Sequence, residues 1–315
     1  MLFNLLKKIN KFLPENLRLL ILPYYRFFFK RFNNIIFLPQ LACNYNCKYC
    51  LWNRFSPPEF KSVYYSYKDW IEVFSKFSPS IFTITGGEPL LYKDIDLLID
   101  NFPSFHIISS LVSNLSVNLE KLINLKNKNF RIMASFHPDM VKKETFFKNI
   151  LLLKKAGFRN ITVNFVAYPS YLKEIPQLKN FFEKEKGIFF RVDTFKDPNY
   201  NYTQEEVSLV RYYKRKKIIA KDRTEGYNFE DFSPKICSAG KNYFIIISNG
   251  NVYSCMEGYY YSECSPFKDK KNKIDNFYMG NLFLKDFRPY LKNRICYSCC
   301  AELCDIELAG VRRIR

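Results

Sequence analysis

The ten cysteines of this 315-residue chain fall into two groups, and their placement constrains the fold more than any other feature. Cys43, Cys47 and Cys50 form C-x3-C-x2-C; the other seven lie between Cys237 and Cys304, and none stands between the groups. A disulfide framework belongs to small secreted chains, and the first residues show no cleavable signal pattern. Tight cysteine groupings without such a signal point to metal in a reducing, cytoplasmic compartment. Thiolates are the soft ligands that select zinc or iron–sulfur clusters. Three on one loop hold three corners of a four-iron cluster and leave the fourth iron open. An open metal position serves catalysis, whereas a closed four-ligand set is structural. A structural zinc loop is the other reading of this spacing.

The cysteine stretch follows an apolar run, Ile35-Ile36-Phe37-Leu38. A second such run, Ile81-Phe82-Thr83-Ile84-Thr85, leads into Gly86-Gly87-Glu88-Pro89. Two glycines let the backbone approach a ligand closely, and Glu88 offers an acceptor to an ammonium. Alone, Gly-Gly-Glu-Pro reads as an ordinary strand-to-helix turn. At the end of the strand after the cysteine motif, the pair of elements resembles the radical SAM superfamily. The resemblance implies that Cys43, Cys47 and Cys50 hold a catalytic [4Fe–4S] cluster. S-adenosylmethionine would chelate the open iron and be cleaved to a 5′-deoxyadenosyl radical, which abstracts hydrogen from substrate. It further implies cofactor contacts from Tyr49, Gly86, Gly87, Glu88 and Pro89, and a reductase such as flavodoxin or ferredoxin.

From Asn34 onward strand-like and helix-like segments alternate, the pattern of a parallel sheet. Strands are expected at about 35–42, 80–85, 105–112, 130–136, 160–166 and 187–193. Helices are expected at Tyr67–Phe77, Tyr92–Asn101, Val141–Ala156 and Leu172–Glu185. The fold class is α/β: a partial (β/α)6 TIM-like barrel over 34–195 with a small cysteine-rich α+β extension over 233–315. Residues 196–232 read as a connector with a helix near Gln204–Lys214. Functional residues of such sheets sit at the carboxyl ends of strands, where both motifs fall.

Later strand ends add candidates. Ser113-Asn114 occupies the place of the family's Thr-Asn-Gly turn, with Leu115 in place of the glycine. Ser135 ends the fourth strand, where the resemblance implies a contact to ribose or the methionine carboxylate. His137, one of two histidines, is a candidate acid/base or substrate contact, or a helix-start histidine beside Pro138. Asn164 and Val166 are candidate adenosine contacts. Arg191 and Asp193 share a strand face, as an ion pair or as part of the substrate pocket.

In the last third, Tyr243–Ser248, Asn249-Gly250 and Asn251–Cys255 read as a hairpin, because Asn-Gly between apolar runs is a strong turn signal. A hairpin brings its flanking Cys237 and Cys255 to the same end. C-x12-G-x4-C followed by Cys296-x2-Cys299 resembles the SPASM and twitch extensions of radical SAM enzymes, although the full SPASM spacing is absent. The resemblance implies an auxiliary [4Fe–4S] cluster on Cys237, Cys255, Cys296 and Cys299, with Cys304 and then Cys264 as alternates; Cys300 stands beside them. Zinc is the alternative metal. A fully ligated auxiliary cluster implies net oxidation of a small molecule, sugar or peptide.

Residues 1–33 recur as Leu2, Phe3, Leu5, Leu6, Ile9, Phe12 and Leu13 at helical spacing with Lys7, Lys8 and Lys11 opposite. No run reaches the roughly 20 apolar residues of a membrane span. A basic amphipathic segment on a membrane surface and a pair of short helices capping the barrel both fit. The formal charge of +19 is spread along the chain and no nucleic-acid motif accompanies it. A nucleic-acid-modifying enzyme is the alternative within catalysis; a non-catalytic iron–sulfur or zinc protein is the alternative outside it.

Overall fold

The computed structural model describes residues 33–50, 64–195, 200–213, 235–256, 259, 277–289, 292, 294–296 and 312–313. The expected amphipathic segment at the start of the chain lies outside them, save for its last residue.

Six parallel strands run β1 (Asn33–Gln40), β2 (Ser80–Gly86), β3 (Ile107–Ser113), β4 (Arg131–Phe136), β5 (Ile161–Ala167) and β6 (Ile188–Thr194), side by side in that order. Helices α1 (Tyr67–Phe74), α2 (Ile95–Asp100), α3 (Leu119–Ile123), α4 (Lys143–Lys155) and α5 (Ile175–Glu183) connect them. The expected partial barrel is present. Along β5, Ile161, Val163, Phe165 and Ala167 are buried while Thr162, Asn164 and Val166 are half-buried. That period of two puts one face under helices and leaves the other on the concave side.

Helix α1 opens on a capping box in which Ser66 and Asp69 bond each other's backbone. Its buried Trp70 and Phe74, four apart, meet Phe37 of β1 with ring centroids at 4.6 and 5.1 Å. Helix α2 starts later than expected because Tyr92, closing the 3-10 turn Pro89–Leu91, is extended (ψ 120°), so the helix begins only at Ile95. Helix α3 was not anticipated: Leu122 alone of its five residues is buried, so it leaves no apolar period. Helix α6 (Gln204–Tyr213) follows β6 as expected.

The hairpin expected in the extension is present, and it docks on the barrel. Strands β8 (Tyr243–Ile247) and β9 (Asn251–Tyr253) pair antiparallel, and β10 (Tyr278–Asn281) adds to β9. Strand β8 lies parallel to β1, from Asn34↔Tyr243 to Leu38↔Ile247, so one sheet runs β10-β9-β8-β1-β2-β3-β4-β5-β6. All five residues of β8 are buried, as a strand covered on both faces requires. A second small sheet joins β11 (Arg294–Cys296), β7 (Lys235–Cys237) and β12 (Arg312–Arg313).

This topology separates the two cysteine groups. The Cys43–Cys50 loop leaves the carboxyl end of β1, whereas Tyr253 pairs with Ile245 and Cys255 continues toward the start of β8. Cys255 therefore lies at the amino edge of the sheet. The eight residues of β1, at about 3.3 Å each, put roughly 25 Å between the edges.

Candidate active site

The cysteine loop is built against the end of β2. Its first amides, Leu41 and Ala42, donate to the side-chain oxygen of Gln40 at 2.9 and 3.1 Å. Gly87 N–H donates to the Gln40 carbonyl at 3.0 Å and Glu88 N–H to that of Ala42 at 2.9 Å. Gly86 has φ +140°, and a Cβ on it would collide with the Gln40 carbonyl; one on Gly87 would collide with those of Leu41 and Ala42. The close approach these glycines permit in this structure is backbone to backbone, strand end against cysteine loop.

Glu88 is 1% exposed. Its Oε1 accepts from the Ser113 hydroxyl at 2.7 Å and Leu90 N–H at 3.0 Å; Oε2 accepts from Asn114 N–H at 2.8 Å. Burial raises its pKa, and the three donors pull it back. A carboxylate oxygen accepts two hydrogen bonds, so Oε2 retains capacity for the ammonium expected of it. Pro89 is buried as the first residue of its turn.

Asn114 carries the network to the cysteines. Its Nδ2 lies 3.1 Å from Asn44 Oδ1 and 3.8 Å from Cys43 Sγ, and Asn44 Nδ2 donates to Ser116 Oγ at 2.8 Å. Ser116 donates back to Asn114 Oδ1 from its amide and its hydroxyl, at 3.0 and 2.6 Å. Leu115 adopts φ +56°, the conformation for which the family's glycine is suited. A left-handed leucine is disfavoured by about 1–2 kcal/mol; here it is fully buried and its N–H donates to Ser113 Oγ at 2.9 Å. Gln40, Asn44 and Ser116 are the residues that motif reasoning missed. Only their adjacency to the motifs marked them.

From the end of β4, His137 faces the other side of the loop. Its Nδ1 is 3.0 Å from the Tyr49 hydroxyl, its ring stacks on Tyr49 at 5.7 Å, and Tyr45 meets it edge-on at 5.9 Å. Burial pushes the imidazole pKa down to about 4, so the ring is neutral near pH 7. This environment holds Tyr45 and Tyr49 in place, and it disfavours the acid/base role considered from sequence.

Across β4, β5 and β6, Ser135, Asn164 and Arg191 pair in one row. Asn164 Oδ1 is buried without a hydrogen-bond partner, the state of an acceptor that a bound ligand would complete. Arg191 and Asp193 form the expected ion pair, Nη2 to Oδ1 at 2.7 Å. Val166 packs against the apolar cluster of Cys47, Tyr49 and Phe195.

The donor set fits a four-iron cluster. Cys43 is exposed, Cys47 buried and Cys50 half-buried. Burial, then the neighbouring Cys50 and Cys43, push Cys47 up to about 12; thiols this close deprotonate readily only beside a cation. Among the described residues no three His, Cys, Asp or Glu side chains converge on a single ion. A four-iron cluster makes a different demand, three thiolates on three separate irons, which one loop meets. In the extension, Cys237 and Cys255 are buried in one apolar cluster with Tyr243, Tyr253, Tyr259 and Phe277. Strand β11 pairs Arg294 with Cys237 and Cys296 with Lys235, bringing Cys296 alongside β7. Cys264, Cys299, Cys300 and Cys304 lie outside the described residues.

Residues 37–182 match the model of the radical SAM superfamily. This stretch, a little under half of the chain, is a radical SAM domain; a [4Fe–4S] cluster and S-adenosylmethionine are the cofactors that family implies. No curated protein sequence matches. Among solved structures, native anSMEcpe with bound AdoMet is similar at 15% identity and TM-score 0.52, over 79% of this chain and 77% of that one. Its complex with AdoMet and the Kp18Cys peptide gives 16% and 0.53 over the same shares. Streptococcus suis SuiB bound to precursor peptide SuiA gives 18% and 0.54, over 71% of this chain and 60% of that one. At these identities the likeness is one of fold. No helix among the described residues is long and apolar enough to cross a membrane.

Proposed function

We propose that this protein is a radical SAM enzyme that oxidises a peptide or small-molecule substrate with the help of an auxiliary iron–sulfur cluster. One observation carries the reading: the Cys43–Cys50 loop, Gly86-Gly87-Glu88 and Ser113-Asn114 form a single hydrogen-bonded unit across the carboxyl ends of three adjacent strands. When bound, the cluster and S-adenosylmethionine supply the electron and the 5′-deoxyadenosyl radical that takes hydrogen from substrate. Cys43, Cys47 and Cys50 hold the cluster. Glu88 Oε2 receives the ammonium of the cofactor, and Ser135 and Asn164 supply hydrogen-bonding groups to its adenosyl part. Tyr49 packs beside it.

Cys237, Cys255, Cys296 and Cys299 would hold the auxiliary cluster; of these, Cys255 lies at the opposite edge of the sheet from the cysteine loop. Peptide substrates are favoured over sugars by the peptides bound in the two solved relatives.

Changing Cys255 to alanine tests the second half. Iron is expected to fall from about eight to about four per chain, with S-adenosylmethionine cleavage persisting. Unchanged iron would remove the auxiliary cluster from the account.

A further inference from the structure

Resting on the reading of this chain as an enzyme for a peptide or small molecule, we infer that a cavity beside the cysteine loop is a recognition subsite for an aromatic carboxylate. Its guest is one ring bearing a carboxylate, as in the last residue of a peptide or in a free aryl acid. The cavity encloses about 340 Å³. That is at the lower end of the range for small-ligand sites and matches a single ring better than several residues. It lies at the carboxyl edge of the sheet, where Pro39 and Gln40 close β1, Ser248 follows β8, and Tyr92 and Lys93 follow the 3-10 turn.

The walls are aromatic and fixed. Trp70, 1% exposed, meets Tyr65 edge-on with centroids at 5.7 Å, and Tyr65 stacks on Phe283 at 3.5 Å. The Tyr92 hydroxyl donates to the Tyr65 carbonyl at 2.8 Å. Tyr64 is 50% exposed, its ring 5.7 Å from that of Tyr92, so it presents an open ring at the mouth. A ring entering here gains offset or edge-on contacts with rings already held in place.

The polar groups of the lining select the charge. Lys93 is its charged side chain, and among the described residues the ammonium pairs with no carboxylate; it lies 5.9 Å from the centre of the Tyr64 ring. The neighbouring Asp94 accepts from Tyr67 N–H at 3.2 Å. Gln40 spends Oε1 on the Leu41 and Ala42 amides, which leaves its NH2 to donate. An ammonium and an amide NH2 accept nothing, so their complement is an anion. Aromatic walls alone would favour a cation, and Lys93 repels one. The place suits recognition of substrate. Gln40 and Cys43 are three residues apart, at most about 11 Å along the chain. An extended peptide seated by its end residue therefore reaches the cysteine loop within about three or four residues.

The test is isothermal titration calorimetry on anaerobically reconstituted protein without S-adenosylmethionine. N-acetyl-L-tyrosine is expected to bind once per chain. It should bind at least about tenfold more tightly than N-acetyl-L-tyrosinamide, which lacks the charge, and than N-acetyl-L-alanine, which lacks the ring. Lys93→Gln should abolish the preference for acid over amide, and Tyr64→Leu should reduce the preference for tyrosine over alanine. Both variants should cleave S-adenosylmethionine at the wild-type rate. 4-Hydroxyphenylacetate separates the two sources: affinity equal to that of N-acetyl-L-tyrosine assigns the subsite to a free aryl acid, and weaker binding assigns it to a peptide end. Absence of binding, equal affinity for the tyrosine and alanine acids, or an acid preference that survives Lys93→Gln overturns the inference and leaves the enzyme assignment standing. Probe binding as expected, in protein that forms no 5′-deoxyadenosine, takes down the enzyme reading and keeps the subsite.

Discussion

Alanine at Cys43, Cys47 or Cys50 is expected to reduce S-adenosylmethionine cleavage to background while leaving about four irons per chain in the auxiliary site. The loop supplies three thiolates to three irons, and removing one exposes a second iron to solvent and exchange. The three positions are not equivalent in their surroundings. Cys47 is enclosed, Cys43 is exposed and reached by Asn114 and by the Tyr45 amide, and Cys50 is half-buried with its own amide tied to the Cys47 carbonyl. Alanine at Cys47 removes a thiol already packed in apolar surroundings, so the chain should fold normally there. Anaerobic iron analysis beside a 5′-deoxyadenosine assay checks this. Cleavage that survives all three replacements would mean that this loop does not carry the catalytic cluster.

Glu88→Gln is expected to weaken both the fold and cofactor binding. The carboxylate accepts from Ser113, Leu90 and Asn114 in a buried setting. A glutamine must turn its NH2 toward at least one of these donors. With its oxygen toward Ser113 and Leu90, the amide faces Asn114 N–H; reversed, it faces Leu90 N–H. A buried donor set against a donor costs about 1–3 kcal/mol, so thermal denaturation should show a fall in Tm of several degrees. Loss of the negative charge that would meet an ammonium should weaken S-adenosylmethionine binding by at least about tenfold, since a hydrogen bond between charged groups is worth about 1.5–3 kcal/mol. The two readouts separate the roles. A lowered Tm with unaltered cofactor affinity would restrict Glu88 to joining the ends of β2 and β3.

Much of the fold was legible in the chain. The six strands of the barrel follow from alternating apolar runs, and the hairpin from Asn249-Gly250 between Tyr243–Ile247 and Asn251–Tyr253. Spacing shows which residues end a strand, and it does not show what the strand end leans on. So Gly86 and Gly87 were read as making room for a ligand, whereas the atoms their Cβ would meet are carbonyls of Gln40, Leu41 and Ala42. His137 was legible as a strand-end histidine, but its partner Tyr49 is 88 residues away, a distance no local pattern spans. The docking of β8 on β1 was equally hidden. A buried run such as Phe244-Ile245-Ile246-Ile247 announces burial on both faces without naming its neighbour. Leu115 shows the converse: it stands where the family has glycine, yet the left-handed conformation is kept. Burial and the Ser113 hydroxyl support it there.

The most direct test of the central claim uses protein purified and reconstituted without oxygen. Iron and sulfide are counted, then dithionite and S-adenosylmethionine are added and 5′-deoxyadenosine is measured. The account predicts about eight irons per chain, the content of two four-iron clusters, with 5′-deoxyadenosine formed. Zinc in place of iron, with no 5′-deoxyadenosine after reconstitution, would contradict it and make the cysteine sites structural.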